Sequence, residues 1–153
     1  MPYNIYLGTY LKTILKSHLY TPDWLTSYER DIAGEIILSK EPGDVLREYR
    51  TRYGMSQEEL GELMELRRES ISRLENGSVT PTFGFMKSFI SAVALIEAIR
   101  VERAQNKEIN VHLLENIARE SGFSIEKLPF LLKLAVESYD KKLNKIRKSL
   151  KVK

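Results

Sequence analysis

The chain has 153 residues, 42% of them apolar and 29% charged, with 24 Lys and Arg, 21 Asp and Glu, two His and no Cys. This reads as a globular chain with one compact domain, or a small core with helical additions; it excludes a disulfide framework, a thiolate zinc site and a cysteine nucleophile. His18 and His112 stand too far apart for a local metal motif, no apolar run approaches the ~18 residues of a membrane span, and no signal peptide precedes the first helical pattern, so a cytoplasmic protein without metal or cofactor is expected.

Helical spacing dominates in chain order, with no sustained strand-like alternation, and an all-α fold is predicted. Tyr3, Leu7, Leu11, Ile14 and Leu15 fall near one face of a first helix. Thr21-Pro22-Asp23 is a start signal, with Thr21 able to cap and Pro22 tolerated in the first turn. Trp24, Leu25, Tyr28, Ile32, Ile36 and Ile37 follow at helical spacing; four of the eight Tyr residues and the single Trp precede Leu25, and these aromatics read as packing. Lys40-Glu41-Pro42-Gly43 reads as a linker, so residues 1–41 are taken as an N-terminal helical extension.

Asp44 to Tyr53 is predicted as a helix with Val45, Leu46, Tyr49 and Tyr53 on its apolar side, ended by a left-handed Gly54. Ser56-Gln57-Glu58-Glu59 is a capping box opening a two-turn helix with Leu60, Leu63 and Met64 inward. A break at Glu65-Leu66 leads to a third helix, Arg67 to Asn76, with Ile71 and Leu74 inward and Gly77 as its exit. Pro81-Thr82 opens a fourth. Two short helices joined by a tight turn form a helix-turn-helix unit, whose second helix protrudes and fits the DNA major groove. Gly61 sits where the two helices cross.

The stretch from Met55-Ser56-Gln57-Glu58-Glu59-Leu60-Gly61 through Ser70-Ile71-Ser72-Arg73-Leu74-Glu75-Asn76-Gly77, with Pro81, resembles the Cro/phage-repressor (Xre-type) DNA-binding domain. The arrangement from Ala33-Gly34-Glu35-Ile36-Ile37 into Pro42-Gly43 is similar to archaeal regulators of that type. The resemblance covers about residues 42–93 and implies a lambda-repressor-like fold that binds double-stranded DNA. It places Gln57, Asn76 and Thr82 against the DNA backbone, and Arg50 and Glu75 as an internal ion pair. The chain departs from the family pattern at Glu65, where a small turn residue is usual, at Arg67, often Ser or Thr, and at Gly61, usually Ala.

Arg67, Arg68, Glu69 and Arg73 lie on the protruding helix and are the expected base-contacting residues. Arg is suited to guanine, and Glu accepts from cytosine N4. Glu69 stands four residues before Arg73, so the two alternatively pair with each other on the helix surface. Helix N-terminal amides favour anions, which agrees with a phosphate at Gln57. Gln57 and Arg68 both lie outside the inward apolar set, so their truncation is expected to leave stability unchanged.

Phe85 to Val101 is apolar on nearly every side, which calls for burial on several faces and makes a partner surface plausible. Leu132, Val136, Tyr139, Leu143, Ile146 and Leu150 follow a heptad spacing, either as a seam between two copies or as docking on the chain's own core. Residues 94–153 are accordingly a helical region for dimerisation with a basic tail. Residues 42–90 carry 7 basic and 8 acidic groups, whereas residues 141–153 carry 7 basic groups and no acid. That tail suits either nucleic acid or the dipole of a helix end. The expected function is sequence-specific, double-stranded DNA-binding transcriptional regulation by a homodimer. The rival is a protein-interaction module such as an antitoxin or transcription bridging factor. No catalytic constellation is present, so no enzyme is expected, and the sequence names no small-molecule effector.

Overall fold

The computed structural model describes residues 21–151, which form seven α-helices and one 3₁₀ turn. In chain order they are α1 (Asp23–Leu38), α2 (Pro42–Arg52), α3 (Gln57–Met64), α4 (Arg68–Glu75), α5 (Phe83–Ala104), α6 (Val111–Ser121), the turn Ile125–Lys127, and α7 (Leu128–Lys151). The helix expected over Tyr3–Leu19 lies outside the described residues.

The fold is organised around α5. Phe89, Val93, Leu95, Ile96 and Ile99 are buried on several sides of this helix, and α1, α3, α6 and α7 pack against it. The all-round apolar pattern of Phe85–Val101 is thus satisfied largely within one chain. Leu25, Ile32 and Ile36 of α1 enter the same core as Leu46 and Tyr49 of α2 and Leu131 and Ala135 of α7. Residue 41 and residue 93, the expected segment limits, therefore cross a continuous core, the second inside α5.

The start signal is met, since α1 begins at Asp23, but the expected cap at Thr21 and the linker reading of Pro42-Gly43 are corrected. Pro22, without a side-chain cap, is the N-cap of α1, and the Thr21 hydroxyl donates instead to Glu120 Oε2 of α6 at 2.8 Å. Pro42 and Gly43 belong to α2, Pro42 being tolerated at its first position. Gly43 is there for space: a Cβ would lie 2.5 Å from the Leu74 carbonyl oxygen. On α1, Trp24 and Ile37 stay exposed, so its buried face is narrower than the spacing suggested.

A polar network ties α1 to α2 and α5. The Tyr49 hydroxyl donates to Glu35 Oε2 at 2.9 Å, the Tyr53 hydroxyl donates to Glu97 Oε2 at 2.7 Å, and the Tyr28 and Tyr53 hydroxyls bond each other. Burial, with the neighbouring Glu35 carboxylate, pushes the Tyr49 phenol up to about 12. Burial and its bonds to Tyr28 and Glu97 push Tyr53 higher still. Both hydroxyls therefore remain donors, and Tyr49 and Tyr53 pack their rings with a polar handle; of the aromatics expected to pack, Trp24 is exposed and the four tyrosines before it lie outside the described residues.

The turn between α3 and α4 carries the family departures. Glu65 adopts the left-handed conformation (φ 57, ψ 37) that a small residue takes without strain. Leu66 N donates to the Gly61 carbonyl at 2.8 Å. A Cβ on Gly61 would sit 2.6 Å from the Leu66 carbonyl oxygen, so the alanine usual in the family does not fit this turn. Two substitutions should act in opposite directions. Glu65→Gly relieves the left-handed penalty against a smaller chain-entropy cost and should raise stability by about 0.5–1 kcal/mol. Gly61→Ala overpacks the crossing and should lower it by about 1–3 kcal/mol. Urea unfolding of both variants measures the two signs.

Candidate nucleic-acid interface

The interface is built from the α3 N-terminus outward. Ser56 Oγ accepts from Glu59 N at 3.0 Å and Glu59 Oε1 accepts from Ser56 N at 3.3 Å, completing the expected capping box. Leu60 and Leu63 are buried, which holds α3 on the core, and α4 seats Ile71 and Leu74 beside it. Helix α4 is one residue shorter at each end than expected. Arg67 is its N-cap in extended backbone and Asn76 its C-cap.

Arg67, Arg68, Glu69 and Arg73 are all exposed. Among the described residues no ion pair joins Glu69 to Arg73 or engages Arg67 or Arg68. The outward face of α4 is therefore a set of hydrated charges, three of them positive. The flanking polar residues are partly occupied. Asn76 Oδ1 accepts from Ser78 N at 2.9 Å and from Ser78 Oγ at 2.6 Å, shaping the turn in which Gly77 takes φ 83. Thr82 Oγ1 accepts from Phe85 N at 3.1 Å as the N-cap of α5. Asn76 and Thr82 are both exposed.

Glu75, the last residue of α4, is 2% exposed. Arg50 Nε donates to its Oε1, and a second Arg50 nitrogen reaches Oε2 at 3.2 Å. Arg50 also donates to the Met55 carbonyl at 2.8 Å. The expected internal pair is thus present, and it has partners that the sequence did not reveal. Gln57 Nε2 donates to Glu75 Oε2 at 2.9 Å, and Arg47 Nε stands 3.5 Å from the same oxygen. Gln57 is half-buried and linked to the internal ion pair, so the expectation that its truncation leaves stability unchanged is corrected. No local signal identifies this bond, because Gln57 and Glu75 are 18 residues apart.

Burial alone would raise the Glu75 carboxyl, but the hydrogen bonds from Arg50 and Gln57 and the charges of Arg50 and Arg47 outweigh it and hold it below the ordinary range. A lowered folded value means that Glu75 stabilises the fold above the unfolded carboxylate range of about 4.3, and that this contribution fades as pH falls through the folded value. Urea midpoints between pH 3 and 7 should therefore drop on the acid side. Glu75→Gln should remove part of that acid dependence. It should also cost about 3–5 kcal/mol at neutral pH, because Arg50 is left without a counter-charge.

Among the described residues no group of three or more His, Asp or Glu side chains could hold a metal ion, and no helix is long and apolar enough to cross a membrane.

Residues 46–92 match the family model described as helix-turn-helix. The chain is also similar to an uncharacterized HTH-type transcriptional regulator of Archaeoglobus fulgidus, with 32% identity over 69 residues. That match covers 45% of this chain and 30% of the relative, so the chain spans less than a third of the curated protein it resembles. No solved structure matches the chain.

Proposed function

Since residues 46–92 form a helix-turn-helix domain of the Cro/phage-repressor type, we propose that the protein is a non-enzymatic, sequence-specific regulator that binds double-stranded DNA as a homodimer. The observation that carries this reading is the disposition of α4: its C-terminal Glu75 is locked inside, while Arg67, Arg68, Glu69 and Arg73 are exposed and unpaired among the described residues. A helix seated on the body by Ile71, Leu74 and Glu75, with exposed charges in its first turn, is suited to entering a major groove. Arg68 is the best-placed base reader, in the first turn, where side chains reach the groove floor. Gln57, Asn76 and Thr82 border the same unit and are suited to the phosphates on either side.

A second reading, a protein-interaction module, is favoured by one feature. Leu66, Val79 and Phe83 are exposed, and Leu66 and Val79 line a groove of about 420 Å³ together with Arg73 and Phe85. Binding to random duplex DNA at low salt separates the two readings, since a module that recognises only a protein shows none.

Arg68→Ala should cost about 1–3 kcal/mol of binding and relax preference at one position per half-site. Gln57→Ala should weaken a selected and a scrambled site by similar factors, because a phosphate contact carries no sequence information. It should also lower the melting temperature by removing a donor from Glu75, whereas Arg68→Ala should not. Titration of each variant against both sites, with a melting curve for each, measures these effects. Equal loss on both sites for Arg68→Ala would make Arg68 a backbone contact.

The homodimer reading predicts twice the chain mass of 17.7 kDa by light scattering at tens of micromolar, and half-sites about 10–10.5 base pairs apart or a multiple of that. A monomeric mass would remove the two-fold geometry from the proposal.

A further inference from the structure

Helix α7 is longer than the body it packs on. Leu128, Leu131, Leu134 and Ala135 are buried in its first half, whereas every residue from Asn144 to Lys151 is exposed. Leu132 and Val136, the first two of the six residues of the expected heptad seam, pack against the chain's own core. What remains is a short amphipathic overhang. At helical spacing Tyr139, Leu143, Ile146 and Leu150 share one face, and Lys141, Lys145 and Lys148 share the opposite one. The basic face continues the line of Leu134 and Ser138.

That line is the one clamped to the α2–α3 corner. Ser138 Oγ donates to the Tyr53 carbonyl at 2.7 Å. Gly54, at φ 69, leaves no spare room there, since a Cβ would lie 3.0 Å from Ser138 Oγ. Lys141, Lys142 and Lys145 line a groove with Gly54 and Glu59, beside the first turn of α3. Glu59 and Glu137 line it too, but Glu59 is engaged in its capping box. No lysine of α7 is in an ion pair among the described residues, and no acid follows Asp140.

We propose that the basic face of α7, Lys141, Lys145 and Lys148, is a second DNA-backbone clamp. It grips phosphates outside the half-site, on the side where the α3 N-terminus meets the duplex. This rests on the DNA-binding reading and adds a surface outside the helix-turn-helix unit. The occupant is assigned by charge. Six basic groups lie between Lys141 and Lys151 without an acid, so a second copy of the same face would be repelled, whereas duplex DNA carries one negative charge per ~1.7 Å. From Ser138 to Lys151 the helix rises about 20 Å, the length of about six base pairs. Because α7 is a rigid helix fixed at Ser138, the added contacts have a set position.

The test compares two full-length variants that each lose two charges. Lys141→Gln/Lys145→Gln alters the proposed face. Arg147→Gln/Lys151→Gln alters the other flank, where Arg147 lines a separate groove with Asp140 and Arg103. Duplex binding is titrated between about 50 and 300 mM salt, on a selected site and on random sequence. The first variant should reduce the salt slope by about two, at ~0.9 per phosphate contact. It should weaken both DNAs about equally, by roughly tenfold near physiological salt, and lose backbone protection within about six base pairs outside each half-site. The second should change the slope by less than half as much, and Lys141→Arg/Lys145→Arg should retain the wild-type slope. Circular dichroism should show unchanged helicity in all three.

An unchanged slope in the first variant overturns the clamp while leaving the helix-turn-helix reading intact. Equal loss in both Gln variants also overturns it, because the charge then acts without a face. So does an unchanged slope with lysine-dependent binding to vesicles containing phosphatidylglycerol, which would assign the face to a membrane surface. A wild-type protein that binds no duplex overturns the DNA-binding reading and the clamp together.

Discussion

The buried carboxylate of Glu75 is the constraint on which the display of α4 depends. Burying a charge is costly unless hydrogen bonds and an opposite charge replace its water. Here Arg50 from α2 and Gln57 from α3 converge on Glu75 at the end of α4. Arg50 also holds the Met55 carbonyl between α2 and α3. One side chain thus requires three helices to stand in a single arrangement, since moving any of them strands a buried charge. Apolar packing of Leu60, Leu63, Ile71 and Leu74 supplies attraction without direction, whereas the carboxylate specifies the geometry. At the other end of α4, whose backbone packs against Gly61, Arg67 and Arg68 stay exposed.

This arrangement also bears on the charge of the proposed DNA surface. The middle of the chain has one more acid than base, which is unusual for a DNA-binding domain. The carboxylates are not equivalent, however. Glu75 is neutralised internally and Glu59 accepts from its own cap, while the α4 arginines keep their charge at the surface. Placement thus matters beside the sum: α4 and its N-cap expose three arginines and one glutamate, while Glu58, Glu62 and Glu65 remain exposed on α3 and the turn. The helical body around the unit then matters for more than stability. It anchors α7 at Ser138 and so directs the lysines of the chain's most basic segment beside α3.

The additions on either side of the unit are integrated by polar contacts as well as by packing. Tyr28, Tyr49 and Tyr53 bury their rings and direct their hydroxyls to Glu35, Glu97 and one another. Two donors held far above their ordinary titration range cannot lose their protons near neutrality. The network therefore couples α1 and α5 to α2 over the whole physiological pH range, and it belongs to the frame that carries the interface.

The sequence alone determined the features whose physics is local. The Ser56–Glu59 box, the left-handed Gly54 and Gly77, the helix start at Pro81-Thr82 and the inward positions of α2, α3 and α4 all depend on residues within about one turn of each other, so their spacing was sufficient. The Arg50–Glu75 pair was accessible through the resemblance of the stretch around it. Tertiary structure decided what depends on residues distant in the chain. Gln57 looked like a side chain outside the packed set until α4 brought Glu75 to it. Gly43 looked like a linker residue until the end of α4 crossed over it. The first two residues of the α7 heptad seam are spent on the chain's own core, where α5 packs against α7, and Ser138 finds Tyr53 across 85 positions of sequence. Periodicity states that a helix has an apolar face and a charged face. Which neighbour covers the first, and what direction the second is given, depends on how the other helices have already packed.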